Sequence, residues 1–315
     1  MQRLLRETTA YRRIAADAAE GNLSHTTLVL FPDEKLLRPL LTECAKAFFG
    51  AEEGSRLSGL IAEESFSDCV FYPAAGEKLT ADLAARLLDE SVLRPVEGSK
   101  KLFVLDAFHT VTPLVQNKLL KALEEPCEGA YFLIGAAAEH TVLPTVLSRA
   151  KKLAEPPFSE EQIARALERA HAGESGIAQA AAASGGIFSV AESLLAGGGE
   201  EFRLAERFLS EADFVPLCRE LGERKEKRAF LSALKLLLRD MMFYAAGQAR
   251  YAALKTDSVS RLAKSYPAGA LVRAIELVGE AEKQIQFNAN FGMALLTLAT
   301  EIRDTRSRFA KLYAE

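Results

Sequence analysis

Five short apolar runs, separated by segments with helical spacing, span residues 26–153, and the pattern stops at Pro156-Pro157. The runs are Thr26 to Phe31, Cys69 to Tyr72, Lys101 to Asp106, Tyr131 to Gly135 and Ala150 to Leu153. Strands that alternate with helices are joined by crossovers rather than hairpins, so they run parallel. A parallel sheet is covered by helices on both faces. A run such as Leu102-Phe103-Val104-Leu105, apolar at every position and not at every second one, suits burial on both sides. Residues 1–155 are therefore expected to form an α/β domain built on a parallel sheet.

The intervening segments carry their own signals. Residues 3–20 read as one helix with Leu4, Leu5, Ile14 and Ala15 on its apolar side, broken by Gly21-Asn22. Leu37, Leu40, Leu41, Cys44, Ala45 and Phe48 recur at helical spacing over 36–49, with Gly50 as the stop. Thr80 caps a helix over 81–93, a further helix covers 115–123, and Pro144 opens a short one. Beyond Pro156-Pro157 the strand pattern ends. Ser159 and Gln162 form a capping box, and helices are expected over 160–170, 177–183 and 190–196. Gly197-Gly198-Gly199 is the clearest linker. Residues 202–315 read as several helices, with Phe230 to Tyr244 a long apolar example. The expected organisation is the α/β domain at 1–155, a small helical lid at 156–199 and an all-α domain at 200–315.

At 315 residues the chain is long enough for two or three domains. Its 49% hydrophobic and 26% charged content needs no disulfide or metal staple. A formal net charge of -4 argues against a strongly basic nucleic-acid binder. Cys44, Cys69, Cys127 and Cys218 are scattered with no C-x-x-C pair, so buried free thiols are expected and no zinc site. No run reaches the roughly 18 apolar residues of a membrane helix. Met1 to Glu20 lacks an apolar signal core, so the expected location is the cytoplasm.

The chemistry is read best at the strand ends. In nucleotide-hydrolysing P-loop proteins an apolar strand ends in an Asp that helps to hold magnesium, and in many a Glu follows to polarise water. Here the third run ends Leu105-Asp106-Ala107, so the Asp is present and the Glu is not. A phosphate cradle needs G-x-x-x-x-G-K-[ST] after the first strand. This chain has Phe31-Pro32-Asp33-Glu34-Lys35-Leu36-Leu37, without glycine and with two carboxylates that repel phosphate. No nucleotide cofactor and no metal are expected. His109 reads as a strand-end packing residue, and Lys118 and Lys121 as a solvated helix face, with contact to a DNA backbone as their other reading.

The helix-to-turn order Gln116-Asn117-Lys118-Leu119-Leu120-Lys121-Ala122-Leu123-Glu124-Glu125-Pro126, then Tyr131-Phe132-Leu133-Ile134, then Leu143-Pro144-Thr145-Val146-Leu147-Ser148-Arg149, resembles the bacterial clamp-loader family of AAA+ proteins. The resemblance is specific over 100–150. It is looser at Asn288-Ala289-Asn290 and Met293 to Leu298, which resemble the last helix of that family's collar domain. The departures resemble its delta-prime type. The positions of the phosphate loop, the catalytic Glu, the polar sensor after the fourth strand and the lid arginine hold Pro32 to Leu37, Ala107, Ala136-Ala137 and Ser189. Ala150 stands where a Cys usually follows Ser-Arg. The family's cysteine-rich zinc module is absent from Ala51 to Asp68.

The resemblance implies an AAA+ domain, a lid and an oligomerisation (collar) domain in a hetero-oligomeric ring. It implies gamma/tau and delta subunits as partners, with the sliding clamp and primer-template DNA reached through the complex. Ser148 and Arg149 would act in trans at a neighbour's ATP. The alternatives are an active ATPase motor, a delta-type clamp-opening subunit and a pseudo-ATPase adaptor of the AAA+ family.

Overall fold

A computed structural model of the chain describes residues 1–197, 199–224, 227–286 and 289–312. Gly198 of the glycine linker and Asn288 lie outside the described residues. The chain forms two compact units, Met1–Pro157 and Phe158–Glu315.

The strands of the first unit are β1 (Thr26–Leu30), β2 (Cys69–Tyr72), β3 (Lys101–Leu105), β4 (Ala130–Ala136) and β5 (Lys151–Ala154). They form one sheet in the order β2-β3-β4-β1-β5. Every pairing is parallel, as the alternation predicts. This is the α/β P-loop-type (AAA+) sheet. Its helices are α1 (Gln2–Arg6), α2 (Thr9–Glu20), α3 (Glu34–Phe48), α4 (Arg56–Ala62), α5 (Ala81–Ser91), α6 (Pro113–Glu124) and α7 (Pro144–Leu147).

Side chains alternate across the sheet, so each strand feeds two cores. Leu28, Leu30, Phe103, Leu105, Phe132, Ile134 and Ala136 pack with α5 and α6 through Ala84, Leu87, Val115, Leu119 and Leu123. The opposite face lies under α3. There β4 carries Gly135, and a Cβ on it would sit 2.6 Å from Leu41 Cδ1 and 3.1 Å from Leu37 Cδ1. The missing side chain lets the helix that follows β1 lie close to the sheet.

The expected helix over 3–20 is two helices. Thr8 divides them: its hydroxyl donates to Leu5 O at 2.6 Å, ending α1, and accepts from Tyr11 N–H at 3.3 Å, capping α2. A threonine hydroxyl competes with the helical ladder for backbone groups, and here it wins. Glu155, just after β5, accepts from the N–H groups of Thr9 and Ala10 and supports the same helix start. Helix α4 has no counterpart among the expected elements. It is short, carries Gly59 in its middle, and starts on Ser55, which accepts from Ser58 N–H at 3.2 Å.

The second unit is helical, with α8 (Glu160–Ala170), α9 (Ile177–Ala183), α10 (Phe188–Ala196), α11 (Glu200–Ser210), α12 (Val215–Gly222), α13 (Lys227–Ala245), α14 (Asp257–Lys264), α15 (Ala268–Gln286) and α16 (Phe291–Leu312). The Ser159-Gln162 capping box opens α8. Helix α13 runs through its centre with Phe230, Leu234, Leu237, Leu238 and Met241 buried. Asp240 is fully buried on this helix and accepts Leu254 N–H at 2.7 Å. Arg303 of α16 donates to Phe208 O and Glu211 O at 3.0 and 2.7 Å, where α11 ends and its carbonyls need donors. Among the described residues no helix is long and apolar enough to cross a membrane.

Gly135→Ala forces a methyl into Leu41. It should lower the stability of the first unit by about 1–3 kcal/mol, the range for overpacked cores. Thermal and urea unfolding would measure it, and the double variant with Leu41→Ala should lose less than the sum of the two single losses. An unchanged midpoint would mean that α3 yields freely.

Candidate functional site

In open parallel sheets the chemistry gathers outside the carboxyl ends of the strands, where neighbouring crossovers part. Here β1 crosses toward β2 while the adjacent β4 crosses toward β5. The residues at those ends are Phe31 to Asp33 after β1, Pro73 after β2, Asp106-Ala107 after β3 and Ala137 after β4. The ladder carries on one step past the strands, with Phe31 N–H to Ala136 O and Asp106 N–H to Tyr72 O, both 2.9 Å.

A helix N-terminus at such a place is suited to phosphate, because its first N–H groups lack partners. In α3 that position is taken by the chain itself. Asp33 is buried and its carboxylate accepts Leu36 N–H at 3.3 Å, while Glu34 adds a second carboxylate in the first turn. One turn on, Arg38 reaches across the strand ends. Its Nε and Nη2 donate to the two oxygens of Glu64 at 2.7 Å each. Its Nη1 donates to Pro73 O and Asp106 Oδ2, both at 3.1 Å. The guanidinium lies over the Phe71 ring, 5.2 Å from its centroid. Burial works against the charged form, but the hydrogen bonds and charges of Glu64 and Asp106 outweigh it and hold the Arg38 pKa above its ordinary value. The other Asp106 oxygen accepts Ala107 N–H at 2.7 Å.

The neighbouring strand-end positions carry little polar chemistry. Ala107 takes a left-handed backbone with φ 48°, which costs a non-glycine residue on the order of 1 kcal/mol. After β4, Ala137 offers its N–H to His109 Nδ1 at 3.2 Å, so His109 ties the ends of β3 and β4 together. Cys44, Cys69 and Cys218 are buried free thiols as expected, but Cys127 is exposed because it lies in the loop between α6 and β4. Among the described residues no group of three or more His, Cys, Asp or Glu is arranged to hold a metal ion.

The Ser148-Arg149 turn closes α7. Ser148 is its C-cap residue, with its hydroxyl on Thr145 O at 3.1 Å. Arg149 Nη1 donates to Thr145 O at 3.0 Å and Ser148 Oγ at 3.2 Å, and Nη2 donates to Glu124 Oε1 at 3.1 Å. Its Nε lies 3.1 Å from Glu124 Oε2. That contact is an ion pair and not a hydrogen bond: the Nε is buried and makes no hydrogen bond. The Arg149 side chain remains 30% exposed. The two motifs of the sequence, the helix ending Leu123-Glu124-Glu125 and the Ser148-Arg149 turn, thus meet as one ion pair. Lys118 and Lys121 are exposed on α6.

A residue whose role was not read in the sequence links these parts. Gln116 is buried on α6; its Nε2 donates to Val111 O and Thr141 O, and its Oε1 accepts Leu143 N–H, all at 2.9 Å. One amide therefore fixes α6 to the loops after β3 and β4, just ahead of the Pro144 helix. The available signal was a polar residue on a face otherwise made of Val115, Leu119 and Leu123.

Residues 6–158 match the family model described as DNA polymerase III, delta subunit. That match supports a clamp-loader-family subunit. The comparison with curated proteins finds no match. Among solved structures, the chain is similar to a DNA polymerase III gamma subunit-related protein from Thermotoga maritima. The identity is 17%, the coverage 94% of this chain and 99% of that one, and the TM-score 0.50, which speaks to the fold. Looser likenesses are the Thermotoga maritima RuvB Holliday junction branch migration motor (15% identity, 81% and 84% coverage, TM-score 0.42) and the Bacillus subtilis DNA clamp loader delta protein (11%, 93% and 99%, TM-score 0.36).

Arg38→Met would leave Asp106 and Glu64 without their cation. Removing one partner of a mostly covered ion pair should cost about 1–3 kcal/mol. Adding Asp106→Asn should then cost less than it does alone, a coupling that unfolding of the two single variants and the double variant would read. Strict additivity would mean that the pair carries no interaction energy.

Proposed function

We propose that this chain is the non-hydrolysing, delta-prime-type subunit of a DNA polymerase III clamp loader. It would sit in a cytoplasmic hetero-oligomeric ring with gamma/tau and delta subunits. It supports ATP-dependent loading of the sliding clamp on primed DNA, and meets clamp and primer-template DNA through the complex. The observation that carries the reading is the Arg38–Asp106 pair. The carboxylate that would hold magnesium already has a cation from its own chain, 3.1 Å away. With α3 capped by Asp33 and no glycine at the turn, the residues present do not fit a magnesium-nucleotide.

What the chain offers instead is Arg149. Phosphoryl transfer spreads negative charge over the γ-phosphate oxygens, and a planar guanidinium from a neighbouring subunit stabilises that charge. Arg149 is on the surface and belongs to a turn braced by Ser148, α7 and, through Gln116, α6. Ser148 keeps Nη1 in place by accepting from it. We assign residues 156–199 to a lid and 200–315 to the oligomerisation domain. The Gly197 and Gly199 flanks of the linker support that division, Gly199 with φ 82° before α11.

The delta-type clamp-opening subunit is the second reading, favoured by the description of the matching family model. The Ser148-Arg149 turn separates the two readings, since a clamp opener has no use for a trans-acting arginine.

Two measurements test the proposal. Calorimetric titration of the isolated protein with Mg-ATP should give no saturable heat; binding at micromolar nucleotide would overturn the lost-site reading. Arg149→Ala should leave the ring assembled and lower its clamp-stimulated ATPase. A finger supplied in trans is worth roughly 10³–10⁵ at its own site in GTPases. Fingers from the gamma/tau subunits serve the remaining sites, so total turnover should fall in part. Arg149→Lys should rescue poorly, because an ammonium lacks the planar fork. A normal rate in a correctly assembled ring would end the arginine claim.

A further inference from the structure

We infer that Glu124 is a competing anion that holds the Arg149 guanidinium in cis until a phosphate replaces it. This rests on the trans-acting reading of Arg149 given above. The argument starts from the donors. A guanidinium has five N–H groups in a rigid fork. Nη1 is engaged by Thr145 O and Ser148 Oγ, and Nη2 by Glu124 Oε1. Nε faces Glu124 Oε2 at 3.1 Å. The side-on edge of the fork, Nε with Nη2, is the edge that a two-oxygen anion grips. Glu124 lies against that edge, hydrogen-bonded to Nη2 and in ion-pair contact with Nε. A γ-phosphate that uses it must displace the carboxylate, and one that uses the other edge must bring its charge close beside it.

The placement of Glu124 points the same way. It is the last residue of α6, followed by Glu125 and with Lys121 as the basic residue of the last turn. Helix C-termini carry partial negative charge, so a carboxylate there is disfavoured locally. Its contribution is to Arg149 and not to the helix. The pair is also exposed, with Glu124 54% and Arg149 30% accessible. Exposed pairs are weak and open readily. The result is a donor kept ordered and neutralised in the free subunit, yet released to a stronger anion.

The test uses the assembled clamp loader with Mg-ATP, in four forms: wild type, Glu124→Gln, Arg149→Ala and the double variant. Glu124→Gln keeps the size of the side chain and removes a charge that the helix end disfavours, so the subunit should fold and assemble. Its half-saturating ATP concentration should fall about two- to fivefold, the scale of an exposed ion pair, with maximal turnover unchanged or raised. In the Arg149→Ala background the same substitution should change nothing. A raised or unchanged half-saturation in Glu124→Gln, alongside a reduced rate in Arg149→Ala, overturns the competition and leaves the trans-acting arginine standing. A full rate in Arg149→Ala overturns the arginine reading itself. A shift from Glu124→Gln that persists without Arg149 also overturns the competition, because the carboxylate would then act on something else.

Discussion

A parallel sheet covered on both faces leaves its strand ends as the accessible edge of its core, and everything distinctive about the first unit follows from what stands there. The order β2-β3-β4-β1-β5 gathers the ends of β1, β3 and β4 outside the sheet. Gly135 lets α3 lie tight against β4, so the first turns of that helix reach the end of β3. Asp106 is then placed with 15% of its side chain exposed, where an unpaired carboxylate is costly. Such a charge needs a cation. Arg38 supplies it from one turn inside α3, and its stack on Phe71 and its bidentate bond to Glu64 fix the guanidinium there. On the proposed reading, the fold has kept the electrostatic requirement of a nucleotide site while meeting it internally.

The parts of this arrangement that are local in sequence were legible in it. The apolar runs locate all five strands; in β1 and β3 burial on both faces leaves no alternation to misread, whereas β5 alternates half-buried and exposed residues. Thr80 and the Ser159-Gln162 box mark helix starts, since a cap acts within one turn. Thr8 shows the limit of such reading. Its neighbours continue a helical pattern, and only the competition between its hydroxyl and the backbone divides α1 from α2.

The site was legible as residues but not as contacts. The missing glycines, Ala107 and Arg149 stand in the sequence, yet Arg38 gives no sign of its role. Its partners Glu64, Pro73 and Asp106 are 26, 35 and 68 positions away. Only the crossover topology brings them together. Glu124 and Arg149 are 25 positions apart and lie in two separate motifs, and no spacing rule joins them. Gln116 is similar: a single amide on an apolar helix face announces a buried network without naming its members. Long-range polar pairing is decided by the fold, and periodicity carries no information about it.

The two arginines make the same kind of bond with different consequences, and exposure is what separates them. Arg38 is 17% exposed, against carboxylates at 15% and 30%. That cluster is half-buried, so water and salt screen it less than they screen a surface pair. Arg149 is 30% exposed against a carboxylate at 54%. There the dielectric is high, the Coulomb energy is small, and another anion can take the place of the first at little cost. An arginine that fills a vacated site has to be covered. An arginine offered to a neighbouring subunit has to be ordered but exchangeable. Each of the two stands in the surroundings that its proposed task requires, although both are held by the same functional groups at nearly the same distances.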